Sequence, residues 1–346
     1  MRGLALTTGL AIGALVIAVL AAEALLRLLQ LAPSGGVFTV DAREFDELPG
    51  LFSPNQTVKN LSKPQLPHRV QINSLGYRGE DFQREKAATE FRILYVGDSF
   101  TFGDFVDDSQ TLPAQLERRL VSNCKNVTVV NAGLGGSTIT EQEPIVRRGL
   151  AIGPDMVILM FSENDVTDLS GTSMWEELAA NRKAKSKFPI SLLYKAARNT
   201  ALWNLALKAR GAQRARQLEP ASADRTSPDD TLQSQDDLRE AYIAKLNRLT
   251  DTLSRYGVDF ILTAFPSHLT VYQEWDSDQL GWLENAASTN AIRYINLLDT
   301  LRSAGQDKTA LYLLPIDGHA SALGYSIAAG KLAQDLLKSL NIDCKR

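Results

Sequence analysis

Phe91-Arg92-Ile93-Leu94-Tyr95-Val96-Gly97-Asp98-Ser99-Phe100-Thr101-Phe102-Gly103 is the stretch on which the reading of the fold turns. Phe91–Val96 is a short apolar run stopped by a glycine, which reads as a buried strand. Glycine permits a sharp turn, and a serine placed there projects beyond the sheet with its own N–H exposed. The run is the first of a series. Val127–Asn131, Met156–Phe161, Val258–Ala264 and Ile292–Leu297 read as four more strands. Helical stretches separate them. Thr111-Leu112-Pro113 opens one helix with a threonine cap and an early proline. Leu238–Tyr256 forms another, and Leu323–Leu340 closes the chain. This alternation predicts an α/β domain: a three-layer, doubly wound parallel sheet of five strands in the flavodoxin-like order 2-1-3-4-5.

In such sheets function gathers at the carboxyl ends of the strands, and the unusual residues fall there. Strand one ends in Gly97-Asp98-Ser99. Strand two ends in Asn131-Ala132-Gly133-Leu134-Gly135-Gly136-Ser137-Thr138, whose glycines let backbone N–H groups face a ligand. Strand three ends in Ser162-Glu163-Asn164-Asp165. Asp317-Gly318-His319 precedes the last helix. A nucleophile, N–H donors, an amide donor and a base beside a carboxylate are the parts that acyl transfer requires. Gly-Asp-Ser alone is weak, since roughly one chain in ten of this length contains it by chance. Asp98 and Asp165 read as loop braces or helix caps. His268 sits after the fourth strand as a second candidate base or a substrate contact. His68 reads as a surface residue, and Tyr312 and Trp282 as packing.

The four blocks, in this order and at these positions, resemble the SGNH, or GDSL-type, hydrolase family over residues 91–165 and 238–346. The resemblance implies that Ser99 is the nucleophile and His319 the base, with Asp317 orienting the imidazole. It places the oxyanion hole at the N–H of Ser99, the N–H of Gly136 and the amide of Asn164. No metal or organic cofactor is implied. The chain departs from the family in spacing its last block Asp-x-His instead of Asp-x-x-His. Ala320 replaces a frequent proline, and Glu163 replaces a glycine where it would narrow or charge the site. The implied function is hydrolysis of an acyl ester, acetyl foremost, on an envelope carbohydrate or lipid. An O-acyltransferase with the same triad and a non-catalytic tethered binding protein are the alternatives.

Composition bounds the rest. The 346 residues are 44% hydrophobic and 22% charged, which excludes disorder and coiled coil. A net charge of −3 leaves no basic field for nucleic acid. Two cysteines and three histidines are too few for a cysteine scaffold or a His-rich metal site. Gly3–Ala22 carries no charge and as a helix would span about 30 Å, the apolar thickness of a bilayer. It reads as an uncleaved transmembrane anchor within residues 1–32. A signal peptide, for which Ala22-Glu23-Ala24 would serve as cleavage site, is the rival. The apolar run, Glu-Ala-Leu-Leu-Arg-Leu after it, and Asn73-x-x-Gly76-x-Arg78 resemble a membrane-anchored bacterial branch of the family. That implies a single-pass inner-membrane protein whose catalytic domain, 91–346, faces the periplasm or exterior.

Residues 33–90 read as a linker and irregular lead-in packed on the domain edge, with Asn73, Gly76 and Arg78 in a turn. An insertion spans about 166–237. Asn181–Pro220 holds ten Lys/Arg against Glu219 alone. Ile190–Arg210 reads as a helix that packs on the domain, closes over the site as a lid, or lies on a membrane surface. Cys124 and Cys344 follow two helices expected side by side on one face, so a disulfide between them is expected in an oxidising compartment.

Overall fold

The computed structural model describes residues 2–29, 48–52, 54–59, 65–122, 126–171, 200–203, 205–206, 234–273, 278–304 and 307–339. Cys124 and Cys344, and with them the expected disulfide, lie outside these residues, as does most of Ile190–Arg210. The chain divides into two compact units. One holds residues 40–180 and 232–346; the other holds 1–39 and 181–231.

The larger unit is built on five parallel strands: β3 (Phe91–Gly97), β4 (Val127–Gly133), β5 (Met156–Phe161), β6 (Asp259–Ala264) and β7 (Tyr294–Asn296). Their order is β4-β3-β5-β6-β7, the order expected from the alternation, with Gly97 paired to Gly133 and Val96 to Leu159. β5 is buried at every residue, as a strand covered on both faces must be. Ile93, Tyr95, Ile158 and Met160 face a core shared with α3 (Leu112–Val121) and the closing helix α10 (Ala322–Ser339). α3 and α10 pack side by side. α4 (Ile139–Gly149) and α5 (Gln235–Tyr256) pack together elsewhere in the unit and bury Ile145, Val146, Tyr242, Leu246 and Leu249. α4 was not evident from sequence, because Pro144 and four charged side chains interrupt its apolar spacing. Thr138 and Glu141 start it regardless with a reciprocal capping box.

The lead-in is more ordered than a linker. β1 (Gln56–Lys59) and β2 (Arg69–Ile72) form an antiparallel pair. Arg78 then bridges Asn131 on the outer side of β4, which covers that sheet edge. The turn at 73–77 closes on the Asn73 side chain, whose Oδ1 accepts from the N–H groups of Leu75 and Tyr77 (3.0 Å each). Arg78 is a structural arginine: Nε donates to Asp108 (2.8 Å), Nη1 to the carbonyls of Phe102 and Gly103, and Nη2 to that of Val106. It therefore grips the loop that follows Ser99. Arg78→Lys retains the charge but not the fork, which leaves buried carbonyls without donors. We expect a loss of about 1–3 kcal/mol, read as a lower Tm; an unchanged Tm contradicts this account.

His68 is a correction to the sequence reading. It is 6% exposed, its Nδ1 pairs with Leu66 O (2.7 Å), and its ring meets Phe105 edge-on at 5.8 Å. The β1–β2 pair folds it inward, and no local pattern marks that pairing.

In the smaller unit α1 (Arg2–Leu28) forms as a helix. The backbone N–H groups of Ala201 and Leu202 donate to the Glu23 carboxylate (2.8 and 3.0 Å). Leu15, Val16, Ile17, Val19 and Leu20 are about half exposed or more. Among the described residues, which in α1 include side chains only from Leu10 onward, no helix is long and apolar enough to cross a membrane.

Candidate active site

Ser99 opens a single-turn helix, α2 (Ser99–Phe102), at the carboxyl end of β3. Asp98 caps it, its Oδ1 accepting from Phe100 N–H at 2.9 Å. Two glycines let α2 lie across the strand ends. A Cβ on Gly97 would stand 2.2 Å from Thr101 Oγ1, and one on Gly133 would stand 2.1 Å from Phe102 N. Gly103 ends the helix in the left-handed region, φ 87°, and returns its N–H to Ser99 O.

The loop from Tyr312 to Ala320 brings the last block to the same place. The two residues form an antiparallel bridge, and Leu313 N–H donates to His319 O at 2.9 Å. Asp317 Oδ1 accepts from the backbone N–H of His319 (2.9 Å) and from its ring Nδ1. A carboxylate turning back on the residue two positions later is an Asx-type turn, which explains how Asp-x-His serves without the usual extra residue. On the ring's other side, Ser99 Oγ lies 2.8 Å from Nε2. Since Asp317 only accepts when ionised, the hydrogen sits on Nδ1, and Nε2 is left to accept from Ser99. Phe100 and Phe105 flank the imidazole at centroid distances of 4.9 and 5.6 Å. Phe105 holds φ 64°, a strained value for a bulky residue.

The remaining sequence-predicted positions are arranged as follows. Gly135 and Gly136 are exposed. A Cβ on Gly135 would lie 3.8 Å from Ser99 Cβ, whereas Gly136, at φ 73°, faces open space. Asn164 is exposed, and its Nδ2 donates to Asp168 at 2.7 Å; the structure pairs it there, with one amide hydrogen remaining. Glu163 does not charge the site. It is 5% exposed, and its two oxygens accept from Ser267 N–H (2.7 Å) and Thr270 Oγ1 (2.6 Å), which ties α6 (His268–Val271) to the end of β5. His268 packs on Tyr312 and beneath Gly318, where a Cβ would come within 3.0 Å of its ring. It supports the last block, and His319 is the imidazole that reaches Ser99. Tyr312 is buried, and the half-buried Trp282 packs against Phe161 and Tyr242, so both serve packing as read.

Two carboxyls lie behind the serine. Asp98 and Asp165 are fully buried, and Asp165 Oδ2 accepts from Ser162 N–H at 3.2 Å. Burial pushes Asp98 up to about 6, against the pull of the Phe100 N–H. Burial and then the neighbouring Asp98 push Asp165 well above the carboxylate range. Asp104, which the sequence reading passed over, stands on the Nε2 side of His319 with Oδ2 at 4.0 Å. It follows directly on Gly103, but nothing in spacing or composition singles it out. A separate groove of about 350 Å³ beside β4 is lined by Arg78, Glu80, Asp108, Glu117 and Arg118 and contains none of Ser99, Asp317 and His319. Of its charged groups, Glu117 accepts from Val129 N–H, Arg118 donates to Ser109 O and Arg78 pairs with Asp108.

Burial lowers the His319 pKa, but the Asp317 hydrogen bond and the charges of Asp104, Asp317 and Asp98 together hold it above the ordinary imidazole value. A base must be neutral to accept a proton, so with His319 in that role, as the family resemblance implies, ester turnover is expected to rise as pH climbs through that raised value. We expect the acid limb of kcat/KM on a small ester to fall above pH ~6.5. A pH profile with its limb at or below that value contradicts this.

The sequence matches the model of the GDSL-like lipase/acylhydrolase family over residues 95–327. Comparison with curated proteins finds no match. Among solved structures the chain is similar to Axe2, an acetylxylan esterase from Geobacillus stearothermophilus, at 15% identity, covering 73% of this chain and 96% of that one, TM-score 0.43. It is also similar to a lipase/acylhydrolase from Enterococcus faecalis, at 14% identity, 71% and 95% coverage, TM-score 0.40. LAE5, an alpha/beta hydrolase enzyme from the metagenome of Lake Arreo, matches at 14% identity, 75% and 100% coverage, TM-score 0.43.

Proposed function

Because the chain belongs to the GDSL-like lipase/acylhydrolase family, whose members hydrolyse esters, we propose that Ser99, His319 and Asp317 are its catalytic triad and that it is a serine esterase. The observation that carries this reading is the continuous chain from Asp317 Oδ1 through both imidazole nitrogens to Ser99 Oγ, 2.8 Å from Nε2. His319 takes the Ser99 proton as Oγ attacks the ester carbonyl. The oxyanion forms against the N–H groups of Ser99 and Gly136 and the Asn164 amide, the last after turning from Asp168. His319 then protonates the departing alcohol. Water, deprotonated by the same imidazole, cleaves the acyl-enzyme to the free acid and restores Ser99.

The acyl group in this proposal is short, acetyl foremost, and its carrier is an envelope carbohydrate or lipid. Placement at the envelope rests on the uncharged Gly3–Ala22 run and on the apolar side chains exposed around α1. On that reading α1 anchors the chain in a bacterial inner membrane, with the catalytic domain in the periplasm or outside. The same triad supports O-acyl transfer if a sugar hydroxyl replaces water. The test is to incubate the full-length protein with p-nitrophenyl acetate, with and without an acceptor saccharide. Release of acetate supports hydrolysis and acetyl saccharide supports transfer. No turnover of any ester would leave only a binding role.

A further inference from the structure

Asp317 already orients His319 through Nδ1, so the triad needs no second carboxylate. Asp104 nonetheless presents one on the opposite side of the ring. Its Oδ2 lies 4.0 Å from Nε2, and its side chain is 33% exposed. The backbone fixes that position: Asp104 N–H donates to Ser99 O at 3.2 Å, and Arg78 holds the carbonyls of Phe102, Gly103 and Val106 on either side of it. A Cβ on Gly135 would lie 3.8 Å from Ser99 Cβ and 3.9 Å from Asp104 Oδ2. Glycine there keeps open a gap between the serine and the carboxylate. Among the described residues none donates a hydrogen bond to that carboxylate; burial raises its pKa, and the charges of His319 and Arg78 favour its ionised form.

The location decides which part of an ester it meets. The alcohol oxygen must come within about 3 Å of Nε2 to receive its proton. A carboxylate oxygen 4.0 Å from the same nitrogen therefore borders the alcohol part of the substrate. An anion at that point accepts from hydroxyl donors, repels anionic groups and is poorly matched to hydrocarbon.

We propose that Asp104 is a specificity-determining residue that accepts a hydrogen bond from a free hydroxyl beside the ester oxygen, so that the substrate is an ester of a neutral polyhydroxy alcohol of the carbohydrate class. This rests on the proposed chemistry at Ser99 and His319 and narrows it from carbohydrate or lipid to carbohydrate. A hydroxyl lost from a charged partner is worth about ten- to a hundredfold in discrimination. Asparagine keeps an acceptor without the charge and gives a smaller effect than alanine.

The test uses the full-length protein and two substrates: a mono-O-acetylated methyl glycoside with a free neighbouring hydroxyl, and its analogue with that hydroxyl replaced by hydrogen. The wild type should favour the hydroxylated ester. Asp104→Ala should reduce the ratio of kcat/KM values about ten- to a hundredfold, mainly through KM. Asp104→Asn should fall between, lower the acid limb of the pH profile, and improve turnover of an acetylated uronic acid. A wild type indifferent to the hydroxyl, or a ratio that Asp104→Ala leaves unchanged, overturns the proposal. Binding separates it from the esterase reading. On a Ser99→Ala background, Asp104→Ala should weaken the Kd for the hydroxylated glycoside about tenfold or more, by calorimetry, whether or not the wild type turns it over. Equal Kd values overturn the assignment of Asp104.

Discussion

Ser99→Ala and His319→Ala are each expected to lower ester turnover by about 10⁴-fold or more while moving the thermal midpoint little. The reason is local. Ser99 Oγ makes its hydrogen bond to His319 Nε2 at the solvent-facing end of the sheet, and the ring is held by Asp317 and by Phe100 and Phe105. Neither deletion opens the core around β3 and β5. In the proposed mechanism the two groups act in one step, so the double variant should be scarcely worse than either single variant. A serine-directed phosphonate that still labels Ser99→Ala stoichiometrically would remove Ser99 from the mechanism. A double variant whose loss is the product of the single losses would separate the two residues.

Gly133→Ala is the second large effect, and it acts on folding and chemistry together. The added methyl would stand 2.1 Å from Phe102 N and 2.6 Å from its Cα. Those atoms belong to the backbone of α2, so no side-chain rotation relieves the clash. Either β4 or α2 must move, in a site where packing is dense and Ser99 is three residues from the contact. We expect about 3 kcal/mol or more of lost stability. Because about 1 Å of misplacement can cost about 10²-fold in rate, we also expect turnover to fall at least that far in the fraction that remains folded. Thermal unfolding and turnover on p-nitrophenyl acetate measure the two effects. Wild-type Tm and wild-type turnover together would show that the strand ends are looser than the geometry implies.

Much of the sheet was legible from sequence because its signal is local. A parallel strand is buried on both faces, so it must be a short unbroken apolar run, and a chain that winds on both sides must alternate such runs with helices. Those local rules place β3 to β7 and their order, and they put Ser99, Gly136, Asn164 and His319 at the carboxyl edge of the sheet. The Asp98 cap and the buried Tyr312 followed from the same local rules.

Other features depend on partners far away in the chain. β1 and β2 are four residues each, and they exist because they pair with each other and lead Arg78 to the edge of β4. His68 is inside because that pair carries it to Phe105. Glu163 looked like a charge in the site, but Ser267 and Thr270, over a hundred residues later, take up both of its oxygens. Asp104 has no sequence signature at all; its meaning comes from the 4.0 Å to a histidine 215 residues away. The amino-acid sequence by itself determined the strand series, its winding and the four chemical blocks, because periodicity, turn residues and burial are properties of neighbours in the chain. Only the tertiary structure decided which imidazole nitrogen meets Ser99, which carboxylates are spent on bracing and which one stands beside His319 Nε2, because those are distances between residues that only folding brings together.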